Sequence, residues 1–238
     1  MPLRVAFDLD GTVADMYSAL QREAEKMFGK AQLAKAVSTV PAPPATEGET
    51  AKPEDAPTNL AMDELHLTAR QQMQLWDQVR KIDNFWTTLP ELEPGIIARI
   101  GEAAVKRRWE VIFLTTRPST TGELTQMQSQ RWLDQHGFQF PSVYVVQRSR
   151  GRIADALQLD VVVDDRPENC LDIAVESKAK VILVWHGQLK DVPAGAKRLG
   201  VRAVTSISEA VTLIEQYDDQ KNAPSLIQSI KKMIGRET

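Results

Sequence analysis

The feature that most constrains the fold is the alternation of short apolar runs with amphipathic segments. Six runs have the length and composition of strands: Leu3–Leu9, Val111–Leu114, Val143–Val146, Val161–Val163, Val181–Trp185 and Val201–Val204. Five segments between or after them have helical spacing: Ile96–Arg107, Gly122–His136, Gly151–Leu159, Asn169–Ser177 and Ser208–Gln216. Strands that are apolar along their whole length are typical of parallel sheets buried on both faces. We therefore predict an α/β fold with a parallel sheet and helices on both faces.

A long insertion separates the first run from the rest. Residues 15–94 hold 8 basic and 13 acidic side chains, so the insertion has a net charge of −5, whereas the remainder is at +2. Helical spacing predicts helices over Met16–Val37 and Asp63–Ile82. Between them, Pro41–Pro57 has five prolines and no Val, Ile, Leu, Met or aromatic residue, which predicts an exposed mobile loop.

These boundaries divide the chain into three parts. We predict a core formed by residues 1–14 and 95–217, the helical insertion 15–94 with its loop at 41–57, and a helical tail at 218–238. The tail has apolar residues on one helical face, which we expect to pack on the protein itself: Leu226, Ile227, Ile230, Met233 and Ile234.

The composition excludes several classes of protein. Apolar residues make up 42% and charged residues 26%, with 29 basic against 32 acidic side chains, which is ordinary globular usage. The single cysteine, Cys170, cannot form an intramolecular disulfide and is typical of a reducing compartment; we expect it to pack rather than react. No apolar run approaches membrane-spanning length and no secretory signal is recognisable, so we predict a soluble cytoplasmic protein without a membrane partner.

The strongest functional signal is Asp8-Leu-Asp10-Gly-Thr12, at the end of the first predicted strand. Ligands of open parallel sheets bind beyond the carboxyl ends of the strands. Two carboxylates two residues apart can project into one site there, and Gly11 permits the turn. The alternative is a polar turn in which Asp and Thr cap backbone groups. It is disfavoured because Asp8 still lies within an apolar strand pattern, where an unpaired carboxylate is costly.

Three further segments follow predicted strands. Asp164 and Asp165 supply oxygen ligands that favour Mg²⁺, unless they are only the acids common at a helix N-terminus. Thr115 offers a hydroxyl for phosphoryl oxygens, although a Ser/Thr turn before Pro118 is the favoured interpretation of this segment in isolation. In the segment Arg148–Arg152, one of the three arginines could neutralise a phosphoryl group.

Together these four segments resemble the haloacid dehalogenase-like hydrolase superfamily. Its phosphatases have Asp-x-Asp-Gly-Thr after the first strand, Thr or Ser after the next, Lys or Arg before a later helix, and an acidic pair after the following strand. The resemblance covers residues 3–14 and about 95–185, with arginine where lysine is commoner. It implies a Rossmann-like parallel sheet with helices on both faces and a small α-helical cap insertion, here residues 15–94.

The resemblance also implies roles for the site residues. Asp8 would be the nucleophile that forms an aspartyl-phosphate, and Asp10 the general acid and base. Thr115 would bind the phosphoryl group. Arg150 would balance its charge, with Arg152 as the rival. The Mg²⁺ ligands would be Asp8, the backbone carbonyl of Asp10, and Asp164, with Asp165 as a further ligand or a group that supports one.

We therefore predict a Mg²⁺-dependent phosphomonoester hydrolase acting on a small phosphorylated metabolite. The pair Thr115-Thr116 and the sequence Asp164-Asp-Arg-Pro167 also resemble the 5′(3′)-deoxyribonucleotidase branch, which makes a nucleotide one candidate. The alternatives are a binding or scaffold protein on the same fold, a phosphotransferase, and a nucleic-acid phosphatase. The last is disfavoured because no basic stripe with interleaved aromatic residues is found.

Several residues near the motifs have two interpretations. Arg117 and Arg166 could contact substrate or form structural ion pairs, and His186 follows a strand and could approach the site. Trp76, Phe85 and Trp86 could stack on a base, but apolar packing of the cap on the core is the favoured expectation.

Overall fold

The structure is a computed structural model that describes residues 2–29, 65 and 67–222. The described strands are β1 (Arg4–Asp8), β2 (Glu110–Thr115), β3 (Ser142–Val145), β4 (Val161–Asp164), β5 (Lys180–Val184) and β6 (Arg202–Val204). The described α-helices are α1 (Met16–Phe28), α2 (Ala69–Val79), α3 (Ile96–Arg107), α4 (Thr125–Gln135), α5 (Arg150–Ala156), α6 (Pro167–Glu176), α7 (Ala194–Arg198) and α8 (Ile207–Asn222). Short 3₁₀ turns span Phe85–Thr87 and Leu189–Asp191.

The strands form one parallel sheet in the order β3-β2-β1-β4-β5-β6. Neighbouring residues of β1 belong to different clusters of buried side chains. Phe7 packs with residues of α3, α4 and α8, whereas Ala6 packs with residues of α5, α6 and α7. Because successive side chains of a strand point to opposite faces, both faces of the sheet are covered by helices. The predicted Rossmann-like α/β sheet is thus confirmed.

The insertion leaves and rejoins the sheet at one place. The Asp15 amide donates to the Pro90 carbonyl at 2.9 Å, and the Leu92 amide donates to the Val13 carbonyl at 2.8 Å. Beyond this point α1 packs against α2. The limits of the cap at 15 and 94 stay a prediction, and Pro41–Pro57 lies outside the described residues.

The structure differs from the sequence predictions mainly at helix ends. Helix α2 begins at Ala69, where Thr68 and Gln71 form a reciprocal capping box, whereas the predicted start at Asp63 lies outside the described residues. Helix α1 ends at Phe28, and the stretch predicted to extend it to Val37 lies outside the described part of the chain.

The last described helix, α8, continues beyond the boundary that the sequence suggested at 217. Asp218 is buried and accepts a hydrogen bond from Trp109 Nε1 at 3.0 Å, and it also pairs with Arg107 of α3. These contacts attach the end of α8 to the core, and the remaining tail from 223 is not described. None of the helices within residues 2–29 and 67–222 has both the length and the apolar character that crossing a membrane requires.

Candidate active site

Four predicted site residues lie at the carboxyl ends of three strands and at the start of one helix. Asp8 is the last residue of β1, Thr115 of β2 and Asp164 of β4, while Arg150 is the first residue of α5. The order of the sheet places β1 between β2 and β4, so their carboxyl ends meet at one edge. All four side chains are buried there. This is the edge at which ligands bind in open α/β sheets.

Arg150 joins the two predicted acidic motifs. Its Nη2 lies 2.6 Å from Asp8 Oδ1, and its Nη1 donates to Asp164 Oδ2 at 2.5 Å. Burial opposes the charge on Arg150, but Asp164 and Asp8 outweigh this effect and raise the pKa of Arg150. Arg152, the rival cation, is exposed, and its backbone amide donates to Ser149 Oγ in the cap of α5; no ion pair of its side chain is found within the described residues. The contacts therefore favour Arg150 as the cation of the site.

Asp164 is held by donors on both of its carboxylate oxygens. The Arg166 amide donates to Oδ1 at 2.9 Å, and Asn169 Nδ2 lies 3.0 Å from Oδ1 and 3.2 Å from Oδ2. With Arg150, these groups satisfy the carboxylate in a fully buried position. Asn169 was not among the predicted site residues, although it lies in the first turn of the helix that follows the motif.

Asp165 differs from its neighbour in having few partners. Among the residues described, the side-chain donor that reaches its carboxylate is Thr12 Oγ1, at 3.4 Å from Oδ1; the same hydroxyl is 3.4 Å from Asp8 Oδ2. Burial, followed by repulsion from Asp8 and Asp164, raises the pKa of Asp165 well above its ordinary value. The carboxylate is therefore poorly compensated where it faces Asp8.

The same imbalance affects Asp8. Burial is the largest cause and raises the pKa of Asp8 to about 7; Arg150 opposes the shift, whereas Asp164 and Asp10 add to it. Gathered carboxylates with raised pKa values are stabilised in their ionised form by a cation. The donor set thus fits a hard divalent ion.

No group of three His, Cys, Asp or Glu side chains within the described residues is arranged as a complete metal cage. Mg²⁺ does not require one, because it commonly keeps several water ligands and takes only one or two carboxylates. The carboxylates of Asp8 and Asp165, together with the backbone carbonyl of Asp10, are compatible with this mode of binding.

Asp10 is held by a different arginine. Arg117 Nε lies 3.0 Å from Asp10 Oδ1 and 2.9 Å from Oδ2, and Arg117 Nη2 donates to Oδ1 at 2.8 Å. Thr115 Oγ1 donates to Asp10 Oδ2 at 3.1 Å and accepts from the Arg117 amide at 3.2 Å. Arg117, for which two interpretations were open, thus forms an ion pair with a site residue. The hydroxyl of Thr115 faces Asp10, and its predicted contact with a phosphoryl group stays a prediction.

Other residues considered from the sequence also have defined positions. His186 Nε2 lies 2.6 Å from the Gly11 carbonyl, so the histidine reaches the loop that follows Asp8. Cys170 is buried, and burial followed by the charge of Asp164 raises the pKa of its thiol, as expected of a packing residue. Phe85 and Trp86 are buried as expected and are not available to stack on a ligand.

Comparisons with known proteins identify the fold. No protein-family model matches the sequence, and no curated protein matches it. Solved structures do match. A predicted phosphatase from Clostridium acetobutylicum is 13% identical with a TM-score of 0.53, covering 91% of this chain and 99% of that one. A haloacid dehalogenase-like family hydrolase from Streptococcus pneumoniae is 14% identical with a TM-score of 0.51, covering 90% and 98%.

A third structure, of a protein from Thermotoga maritima proposed to be a β-phosphoglucomutase, is 17% identical with a TM-score of 0.50 and covers 90% of this chain and 99% of that one. The similarity covers nearly the whole of each neighbour. The chain therefore has the fold of the haloacid dehalogenase-like hydrolases.

Proposed function

We propose that this chain is a Mg²⁺-dependent phosphomonoester hydrolase that works through an aspartyl-phosphate on Asp8. The observation that carries the proposal is the convergence of Asp8, Arg150 and Asp165 at one edge of the sheet, with Asp10 held close by. This arrangement supplies a carboxylate nucleophile, a fixed cation and, in Asp165, carboxylate oxygens with few protein donors. These are the components that phosphoryl transfer requires, since its catalysis depends on positioning and charge stabilisation.

In the first step, a carboxylate oxygen of Asp8 forms a bond to phosphorus while the bond from phosphorus to the ester oxygen breaks. Asp10, in its protonated form, gives a proton to the departing oxygen, so that an alcohol leaves. Arg150 compensates the negative charge of the nucleophile and of the phosphoryl oxygens. Burial of the site strengthens this compensation, because few waters compete for the guanidinium.

In the second step, Asp10 acts as a base. It takes a proton from a water molecule as the water oxygen bonds to phosphorus, and the bond to Asp8 breaks. Inorganic phosphate leaves, Asp8 is regenerated as a carboxylate and Asp10 is again protonated. The paired Nε and Nη2 donors of Arg117, called here the Arg117 fork, and the hydroxyl of Thr115 orient the Asp10 carboxylate.

Asp8, the backbone carbonyl of Asp10, and Asp165 are the groups that would hold Mg²⁺. Bound there, the ion would neutralise charge on the phosphoryl oxygens and lower the repulsion between them and Asp8. Asp164, with both oxygens occupied by protein donors, instead holds Arg150 in place. The resemblance had implied the reverse, with Asp164 as the Mg²⁺ ligand and Asp165 as a further ligand or a supporting group.

The proposed substrate is a small phosphorylated metabolite, with a nucleotide as one candidate. Enclosure supports this, because the Asp8, Thr115 and Arg150 side chains are almost fully buried and a large surface could not reach them. The acidic insertion also makes nucleic acid a poor partner. The cytoplasm remains the predicted location.

Hydrolysis of p-nitrophenyl phosphate with and without Mg²⁺ tests the proposal. We expect turnover that requires Mg²⁺, is lost in Asp8→Asn, and is kept in Asp134→Asn, a matched change at an exposed position on α4. Equal turnover by wild type and Asp8→Asn would exclude Asp8 as nucleophile. Screening a panel of phosphorylated metabolites at fixed Mg²⁺ would then identify the substrate.

A second comparison tests the assignment of the acids. Asp165→Asn should raise the Mg²⁺ concentration for half-maximal activity by at least about tenfold, because a ligand is lost. Asp164→Asn should lower turnover more than Mg²⁺ affinity, since it loosens Arg150. The reverse pattern would restore Asp164 as the ligand.

A further inference from the structure

Arg117 is enclosed to an unusual degree for a charged side chain. Its side chain has no exposed surface, and its guanidinium carbon lies 4.9 Å from the ring centre of Trp86 and 5.8 Å from that of Trp132. Its Nη1 donates to Ser129 Oγ at 3.0 Å. Cation–π contacts of this kind are strongest where water is excluded. The guanidinium therefore has one orientation, fixed from several directions.

The groups around Arg117 are themselves fixed. Trp86 Nε1 donates to the Pro118 carbonyl at 2.9 Å, and the Trp86 amide donates to Gln128 Oε1 at 3.1 Å. Trp132 Nε1 donates to the Leu89 carbonyl at 2.7 Å. Trp86 and Trp132 thus connect the end of the insertion to α4 around Arg117, whose guanidinium pairs with Asp10.

The Arg117 fork is not needed to neutralise a fully buried charge. The side chain of Asp10 is 12% exposed, so it is not fully enclosed, and Thr115 already donates to its carboxylate. What the fork adds is geometry: planar paired contacts restrict both the position and the rotation of a carboxylate, which a single hydroxyl cannot do.

We propose that Arg117 is a positioning residue that sets the orientation of Asp10 for proton transfer. The proposal rests on the proposed function of Asp10. Proton transfer is sensitive to geometry, and a displacement of about 1 Å can lower the rate about 10²-fold. Removing the fork should therefore slow the steps in which Asp10 donates or accepts a proton and leave substrate binding nearly unchanged.

The leaving group provides the decisive readout. An alkoxide needs a proton as it departs, whereas p-nitrophenolate leaves readily without one. If Arg117 acts through Asp10, Arg117→Met should lower kcat for an alkyl phosphate such as glycerol 2-phosphate by about 10–10²-fold. The loss with p-nitrophenyl phosphate should be several-fold smaller, and KM should change little for either. Asp10→Asn should show the same preference, and Arg117→Lys should recover part of the loss.

A double-variant cycle separates positioning from general damage to the fold. In the Asp10→Asn background, Arg117→Met should cause almost no further loss of kcat, because the group it positions is already absent. Arg131→Met, an exposed change on the same helix as Trp132, is the control and should affect both substrates by less than about twofold. Equal losses on both substrates, or additive losses in the cycle, would overturn the proposal.

A stability cycle on the same variants tests the pairing without using activity. Urea unfolding of wild type, Asp10→Asn, Arg117→Met and the double variant should give non-additive shifts of the midpoint. Additive shifts would show that the two side chains do not interact and would refute the inference. Absence of phosphatase activity in wild type with coupling intact would instead refute the proposed function, leaving the pairing itself in place.

Discussion

Gly11 provides a test of whether the position of the Asp165 carboxylate matters. Gly11 has φ of +83°, and a Cβ atom built on it would lie 2.2 Å from Asp165 Oδ2. Gly200 has φ of +76°, but its Cβ would have no heavy atom within 4 Å. Replacing each glycine with alanine therefore imposes the same backbone strain, while only Gly11→Ala also displaces Asp165.

The magnitudes follow from these two contributions. A left-handed conformation costs an alanine about 1–2 kcal/mol, which corresponds to a decrease of about 2–8 °C in Tm for a chain of this size. Both variants should show this loss. In Gly11→Ala, the carboxylate of Asp165 must also retreat by about 1 Å to reach a normal contact distance, which is enough to lower activity about 10²-fold.

Mg²⁺ titration of p-nitrophenyl phosphate hydrolysis, together with thermal unfolding, measures both effects. We expect Gly200→Ala to keep the Mg²⁺ dependence and turnover of wild type within about twofold. Gly11→Ala should require much more Mg²⁺ and turn over far more slowly. If the two variants had the same Mg²⁺ dependence and turnover, the Asp165 carboxylate would not be required where it lies, and its assignment as a ligand would be wrong.

Three further predictions concern charge and stability. In the folded, metal-free protein the pKa of Asp8 is raised to about 7, whereas in the unfolded chain it has its ordinary value of 3.8. The free energy of unfolding in EDTA should therefore fall as the pH rises between these two values. In urea unfolding at several pH values, the midpoint of Asp8→Asn should fall less with pH than that of wild type. A rise in the stability of wild type over the same pH range would contradict the prediction. At pH 8, Arg150→Met should cost about 3–5 kcal/mol by leaving buried carboxylates unpaired. Arg152→Met should stay within about 0.5 kcal/mol, and similar costs in urea unfolding would refute the assignment of Arg150. Asp218→Ala should cost about 1–3 kcal/mol, because the Trp109 indole loses its acceptor. Asp219→Ala, at an exposed neighbour, should have a much smaller effect by the same measurement, and equal effects would show that α8 is not attached through Asp218.

The sheet and the position of the site could be predicted because both depend on local patterns. Runs such as Val161–Val163 are apolar on every residue, which indicates a strand covered on both faces. Topology then brings the carboxyl ends of parallel strands to one edge. These two facts place Asp8 and Asp164 at strand ends on one edge of the sheet, and in the structure they are the last residues of β1 and β4.

The roles of neighbouring acids could not be predicted in the same way. Asp164 and Asp165 differ by one residue, and their environments depend on where β4 stops and on a helical residue, Asn169, that turns back towards the strand. Sequence alone cannot decide this, because alternation of side chains along a strand ends where the strand ends. The pairing of Arg117 with Asp10 across more than a hundred residues is a choice of tertiary packing that no local pattern indicates.

Helix ends show the same division between local and tertiary causes. The start of α2 carries a local signal, because Thr68 and Gln71 have the spacing of a capping box, although the prediction followed the helical spacing from Asp63 instead. The continuation of α8 beyond residue 217 was not readable in this way, because it depends on the burial of Asp218 against Arg107 and Trp109, which are distant in sequence.

The most direct test of the account is to find the residue that carries phosphate during turnover. Acid quenching of a single turnover, followed by borohydride reduction and peptide mass spectrometry, converts an aspartyl-phosphate to homoserine at the labelled position. We predict homoserine at position 8, in an amount that depends on Mg²⁺ and disappears in Asp8→Asn. Turnover with no trapped product at position 8, or with the product at another acid, would contradict it.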